Sequence, residues 1–362
     1  MKYVIHRQKG EAAYLQLYRQ VRQDIVKGIV PYGTKLPSKR ILGEELGISI
    51  VTVEHAYSLL CDEGYVEARQ RSGYYVIFRS DHGFAEPVET GSVPFSPHKG
   101  EKTEFPFTVL TKTMRRVMND YGEGILETSH GTGCRALREA ICQYLARSRG
   151  ICVSSEQIVV GSGSEHLYTL VLSLLGRSKE YAIESPSYHR IEQVYRAANV
   201  PFVMLPLGSE GIESRALWSC NSDVLHISPY RSYPSGVTAS ASKRHEYLTW
   251  VSKGGRYIIE DDFQSEFSLS RTPGDTLYSQ CEEERVIYMN SFSKTISPSL
   301  RVAYMVLPKA LVPTYMDRLG FLSCTVPTFQ QLVLASLLDG GEFERHINRV
   351  RRKLRKLQSA SE

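Results

Sequence analysis

Hydrophobic positions follow two different rhythms along this chain. In roughly the first eighty residues they come in short blocks at three- or four-residue spacing: Leu17, Val21 and Ile25 within 14–27, then Leu42 and Leu46, then Val53, Ala56, Tyr57 and Leu60. That spacing predicts three helices, each with one apolar stripe, and in the third it leaves Ile50, Thr52 and His55 on other faces. Gly28, Gly47 and Gly64 stand where the helices should stop, and Pro37-Ser38 and Ser49 where the second and third should be capped. Two short runs around Tyr65-Val66-Glu67 and Gly73-Tyr74-Tyr75-Val76 then read as strands, joined by the basic tip Arg69-Gln70-Arg71-Ser72.

From Phe105 onward, helical blocks alternate with β-branched runs: Gln157-Ile158-Val159-Val160, Tyr181-Ala182-Ile183, Phe202-Val203-Met204-Leu205, Val224-Leu225-His226-Ile227, Tyr257-Ile258-Ile259 and Arg285-Val286-Ile287-Tyr288. The alternation predicts an α/β domain with a mostly parallel sheet, whose ligands sit beyond the carboxyl ends of the strands. Between the two regimes, residues 79–104 shift to Gly, Pro, Ser and charge and read as an exposed tether.

Composition narrows the classes. A chain of 362 residues that is 42% hydrophobic can bury a large core in two or three domains. Seven cysteines without a Cys-x-x-Cys pair argue against a disulfide framework and a zinc site, and the ten histidines show no metal-ligand spacing. Neither a signal peptide nor a membrane span is evident, so a soluble cytoplasmic protein is expected. The net charge is +5, and residues 1–80 hold 12 Lys and Arg against 8 Asp and Glu, a basic bias compatible with nucleic acid. Three helices with a basic two-stranded wing form the layout of a winged helix-turn-helix, whose second motif helix enters the major groove.

Candidate chemistry gathers at the strand ends. After Val286-Ile287-Tyr288 comes Asn290-Ser291-Phe292-Ser293-Lys294, with Arg301 seven residues beyond the lysine. A lysine amine can form a Schiff base with a carbonyl cofactor, of which pyridoxal phosphate is the common one, and Ser291, Ser293 and Arg301 are suited to its phosphate. A serine-rich surface loop with a solvated lysine would share the same tetrapeptide. Gly161-Ser162-Gly163-Ser164-Glu165 opens a helix after a strand, an arrangement that suits phosphate. Glu260-Asp261-Asp262 offers an aspartate for a protonated pyridine nitrogen, and Tyr188 offers a ring for stacking.

These motifs carry family resemblances. Leu36-Pro37-Ser38-Lys39-Arg40, Ser49, Thr52-Val53, Ala56-Tyr57, Glu63-Gly64 and Ser72-Gly73-Tyr74 resemble the GntR-type DNA-binding domain over residues 11–78. That resemblance implies Arg40, Ser49, Thr52, Arg69, Arg71 and Gly73 as contacts to double-stranded DNA. It departs at Ile50, where the family has a basic residue; an aliphatic side chain can touch a thymine methyl but cannot bond a guanine. Residues 105–362, with Tyr233-Pro234-Ser235-Gly236, Glu260-Asp261-Asp262-Phe263 and the lysine segment, resemble the pyridoxal-phosphate fold-type I aminotransferases. The pairing of the two resembles the MocR/GabR transcriptional regulators.

The likeness implies Lys294 as the Schiff-base lysine, Asp261 facing the pyridine nitrogen, Tyr188 on the ring, and Ser164, Glu165, Ser291, Ser293 and Arg301 around the phosphate. Phe263 stands where the family has tyrosine, with Tyr233 as the available substitute, and Glu165 replaces an amide beside the phosphate. Phe343, Ile347, Val350, Leu354 and Leu357 form a stripe on a basic helix that in the family leads into a small domain; here the sequence stops at Glu362, so a C-terminal truncation is expected. The implied function is a homodimeric regulator that senses pyridoxal phosphate, together with a small amine or amino-acid effector, without efficient transamination. The alternatives are an aminotransferase with an appended DNA-binding domain and a DNA-binding protein with an inert relic domain.

Overall fold

The computed structural model describes residues 3–6, 12–79, 105–263, 265–268 and 275–359, so the stretch read as a tether lies, apart from Arg79, outside the described residues. The chain divides into two compact units, Met1–His98 and Lys99–Glu362.

The first unit holds α1 (Ala13–Val26), α2 (Lys39–Leu46), α3 (Ile50–Asp62), β1 (Val66–Arg69) and β2 (Gly73–Val76). The predicted caps form: the Ser38 hydroxyl accepts from Ile41 N at 3.3 Å and the Ser49 hydroxyl from Thr52 N at 3.1 Å. The stripe of α3 (Val53, Ala56, Tyr57 and Leu60) is buried against Leu17, Val21 and Ile25 of α1 and Leu42 of α2. β1 and β2 pair antiparallel, with Val66 opposite Val76 and Arg69 opposite Gly73. The loop between them needs a positive φ at Gly73 (114°), a value a side-chain-bearing residue rarely adopts.

The second unit begins with α4 (Phe107–Tyr121) and α5 (Arg135–Arg149), then alternates β3 (Ile158–Gly161), α6 (Ser164–Leu175), β4 (Tyr181–Ser185), α7 (His189–Ala197), β5 (Phe202–Gly208), β6 (Gly211–Ile212), α8 (Ser214–Ser219), β7 (Val224–Ile227), α9 (Ala241–Ser252) and β8 (Tyr257–Asp261). It closes with α10 (Leu277–Gln280), β9 (Val286–Ser291), β10 (Ala303–Val306), α11 (Val312–Leu319), α12 (Thr328–Asp339) and α13 (Glu342–Ser359). One eight-stranded sheet runs in the order β3-β10-β9-β8-β7-β4-β5-β6. Its central strands are parallel, as the alternation predicts.

Two strands were not anticipated. β10 lies antiparallel between β3 and β9, and β6 pairs antiparallel with β5. β10 escapes a reading by helix-strand alternation because no helix of eight or more residues separates it from β9; the loop 292–302 returns the chain beside its own predecessor.

Side chains of adjacent strand residues enter different layers. Val286 and Tyr288 pack with the layer containing α5, α9 and α12, whereas Ile287 and Met289 pack against α6, α7 and α11. The stripe of α13 finds a partner inside this unit for its first half: Phe343, Ile347 and Val350 are buried, with the Phe343 ring 5.2 Å from Tyr144 and 5.7 Å from Phe292. Leu357 remains 57% exposed.

Candidate functional site

In the first unit the start of α3 is the reading edge of a helix-turn-helix. The Ser49 hydroxyl is engaged as the cap and lies 2.8 Å from the Thr52 hydroxyl. The first turn beside it presents two aliphatic side chains, Ile50 at 49% and Val51 at 59% exposure. Arg40 is extended into solvent and reaches Glu44 at 3.1 Å one helical turn away. At the wing, the Arg69 guanidinium stacks 4.6 Å over the Tyr75 ring and lies 3.2 Å from Glu67, while Arg71 holds the tip at a φ of 60°. All six residues named as DNA contacts therefore lie on α2, at the start of α3 or on the wing, and the side chain of Ser49 is already committed to its helix.

In the second unit the candidate residues converge at the carboxyl end of the parallel strands. Asp261 is the last residue of β8 and is buried. The Tyr168 hydroxyl, from α6, donates to its carboxylate at 2.5 Å, and His226 Nε2 lies 4.0 Å away. His226 in turn meets the Tyr195 hydroxyl at 2.8 Å through Nδ1, and burial pushes its pKa down to about 3, so the ring is neutral. Burial pushes the Asp261 carboxyl up to about 6, against the Tyr168 bond that favours its ionised form.

Asp262 points into the opposite layer. Its carboxylate pairs with the buried Arg149 of α5 at 3.1 Å and accepts from the Ser265 and Tyr288 hydroxyls, each at 2.6 Å. The two aspartates thus divide as the pleat requires, one toward the α6 layer and one in a buried ion pair.

The loop opening α6 shows how the anion-binding end is built. Gly163 has a φ of 100°, which side-chain-bearing residues rarely adopt, and its bare Cα leaves room for the guanidinium: a Cβ placed there would meet Arg301 Nη2 at 2.7 Å. Arg301 itself follows the turn after β9 with a φ of 50°. Ser291 and Ser293 meet hydroxyl to hydroxyl at 3.0 Å, and the Ser291 oxygen also accepts from Ser293 N at 3.1 Å. Lys294 lies in the same turn with an exposed side chain. Ser164 is the first residue of α6. Tyr188 precedes α7, its ring 6.0 Å from that of Tyr233; Tyr233 is 57% exposed, an open position for a residue expected to stand in for the absent phenol at Phe263.

Glu165 is the residue whose surroundings differ most from expectation. Its carboxylate is not turned to solvent but accepts from Arg190 Nη1 at 2.6 Å and from Arg301 Nη2 at 2.8 Å. Burial works against its charge, but its own backbone N–H and the two arginines outweigh that and hold the carboxyl below its usual value.

Four residues near the site were missed by sequence reasoning. Arg190 was legible, two positions after Tyr188 and basic; Tyr168 stands one helical turn after Ser164; His226 and Glu184 look like ordinary strand residues. Glu184 is buried, accepts from Ser232 Oγ at 2.6 Å and Ser228 N at 3.2 Å, and burial raises it to about 7.

The donor set suits a phosphorylated pyridine aldehyde. An arginine lies across a loop where a Cβ would clash, a helix N-terminus adjoins it, a buried carboxylate is braced from behind, and a lysine sits in the intervening turn. Together with the helix-turn-helix unit this defines a DNA-binding regulator that carries an aminotransferase-like domain.

The comparisons agree. The sequence profile of the bacterial regulatory proteins of the gntR family matches residues 13–76, and that of aminotransferase class I and II matches residues 98–360. An uncharacterized HTH-type transcriptional regulator of Bacillus subtilis, YdeL, is 32% identical over 95% of this chain and 77% of its own length. The probable rhizopine catabolism regulatory protein MocR of Rhizobium meliloti is 26% identical over 96% of this chain and 76% of its own. The solved kynurenine aminotransferase of Pyrococcus horikoshii, in complex with PMP, superposes with a TM-score of 0.62 and 25% identity on 68% of this chain and 64% of that chain.

The chain belongs to the MocR/GabR-type transcriptional regulators, with a GntR-type DNA-binding unit and an aminotransferase class I and II unit. The solved relatives hold pyridoxal-derived ligands, PMP in the Pyrococcus horikoshii enzyme and N-(5'-phosphopyridoxyl)-L-leucine in the alpha-aminoadipate aminotransferase LysN of Thermus thermophilus. Among the described residues no helix is long and apolar enough to cross a membrane.

Proposed function

We propose that the chain is a cytoplasmic homodimeric regulator that binds an operator through residues 11–78 and changes its DNA affinity when the domain formed by residues 105–362 takes up pyridoxal phosphate, together with a small amine or amino acid. Arg40, Thr52, Arg69, Arg71 and the Gly73 backbone meet the DNA, and Ser49, whose hydroxyl also caps α3, borders it at the start of that helix. Residues 79–104 join the two domains. The observation that carries the cofactor reading is the guanidinium of Arg301 lying on Gly163 at the entrance to α6.

Bound there, the cofactor would supply an aldehyde for a lysine amine and a pyridine ring able to draw electrons. Lys294 offers the amine. Arg301, Ser291, Ser293 and Ser164 hold the phosphate, and Glu165 lies beside them. Asp261, held by Tyr168, would face the pyridine nitrogen, where its carboxylate would favour the protonated ring. Tyr188 would cover one face of the ring and Tyr233 would border it. Phe263, lacking a phenol, gives the ring oxygen no donor, which supports a sensing role over efficient transamination. For the cofactor to shift DNA binding, the DNA-competent and incompetent arrangements must differ in affinity for it.

The test is the visible absorption of the full chain with pyridoxal phosphate, beside Lys294→Ala, with operator affinity measured in parallel. A visible band that the alanine variant loses, and a DNA affinity that changes with cofactor only in the wild type, are expected. A band without any effect on DNA would favour the inert-domain alternative, and turnover of an amino acid to its keto acid would favour the enzyme.

A further inference from the structure

Glu165 places a fixed negative charge on the guanidinium assigned to the cofactor phosphate. Its Oε2 accepts from Arg301 Nη2 at 2.8 Å while its Oε1 accepts from Arg190 Nη1 at 2.6 Å, so the carboxylate bridges two cations. The Arg301 guanidinium packs on Gly163 with its side chain 51% exposed, so the Nη2 donor taken by Glu165 is one it presents at the loop. Glu165 also lies in the first turn of α6, where unpaired backbone N–H groups and the helix dipole attract negative charge. The side chain thus takes both attractions that a phosphate at this point would use. Two anions on one guanidinium repel, and a phosphate monoester at neutral pH carries more charge than a carboxylate.

We propose that Glu165 is a built-in competitor for the phosphate subsite: it must leave Arg301 for a phosphorylated ligand to bind, and it thereby weakens the hold on pyridoxal phosphate. The departing carboxylate keeps Arg190 as its partner, so the exchange leaves no buried orphan charge. The competitor lowers affinity into a range where occupancy follows the free cofactor concentration, which a sensor needs and a tightly loaded enzyme does not. The inference rests on the assignment of Arg301 to the phosphate.

The test is an absorbance titration of the full chain, dialysed free of cofactor, with pyridoxal phosphate and with pyridoxal, which lacks the phosphate. It compares wild type, Glu165→Gln and Arg301→Gln. Glu165→Gln should tighten pyridoxal phosphate about tenfold, the scale of one charge-assisted contact, and leave pyridoxal unchanged. The inhibition constant of inorganic phosphate, extracted from its competition with pyridoxal phosphate, should fall by the same factor. Weaker or equal binding of pyridoxal phosphate to Glu165→Gln, with Arg301→Gln still impaired for that ligand alone, would overturn the competitor and make Glu165 a positioning residue for Arg301. If Arg301→Gln bound both ligands like wild type, the phosphate assignment would fall and the competitor with it. Retained pyridoxal binding shows that a variant is folded, and Glu165→Ala, expected to change affinity in the same direction, replaces the glutamine variant if that control fails.

Discussion

Buried carboxyls in the second unit carry raised proton affinities: burial lifts Glu260 to about 8, Glu184 to about 7 and Asp261 to about 6, and it raises Glu266 as well. Their ordinary values are 4.5 for glutamate and 3.8 for aspartate, and an unfolded chain would restore them. A carboxyl that holds its proton more tightly when folded stabilises the fold at low pH. That contribution is lost as pH rises from the ordinary value through the raised one. For the first three of these groups the window runs from about pH 4 to about pH 8. Urea unfolding of the cofactor-free chain should therefore show a lower midpoint at pH 8 than at pH 5.5, and Glu184→Gln should flatten the difference. A midpoint independent of pH would mean that these carboxyls are ionised in place. The residue scale also shows how far sequence can go with neighbours: Asp261 and Asp262 are chemically equivalent in the chain, and what separates them is which layer each enters.

At the scale of the element, α3 combines two demands on one residue. Ser49 caps the helix by accepting from Thr52 N, and it also stands at the reading edge. Removing the hydroxyl in Ser49→Ala should cost about 1 kcal/mol of stability in the first unit. Ser49→Asp separates the roles, since aspartate caps as well as serine but adds negative charge near a phosphate backbone. The expected outcome is normal stability with weakened DNA binding, measured by chemical unfolding and by fluorescence anisotropy on a duplex. Unchanged DNA affinity in Ser49→Asp would remove Ser49 from the contact set.

The elements of this unit were legible because their signals are local: stripe spacing, caps and stops lie within a dozen residues of one another. β10 and β6 were not, because an antiparallel return strand is defined by the neighbours it meets rather than by its own pattern.

At the scale of the whole molecule, the binding of DNA should be governed by how many phosphates the first unit neutralises. Arg71 at the wing tip and Arg40 on α2 are on the exposed rim, where each phosphate contact contributes about 0.9 to the slope of log affinity against log salt. Arg71→Ala should reduce that slope by about one and weaken binding similarly across sequences. An identical slope would return Arg71 to the status of a solvated surface charge. The exposed aliphatic pair Ile50 and Val51 carries no such salt term and can act only through shape and methyl contact.

Sequence by itself determined the two-part organisation, the helix-turn-helix elements, the parallel sheet and the short segments that carry the lysine, the acidic pair and the arginine. These follow from periodicity and from residue chemistry within short windows. Only the tertiary structure decided that Asp262 is paired with Arg149, that Tyr168 and His226 stand behind Asp261, and that Glu165 lies between Arg190 and Arg301. Each joins residues from separate elements, in one case 136 positions apart in the chain. The energy of a charge depends on the partners that the fold brings to it, and no local pattern carries that information.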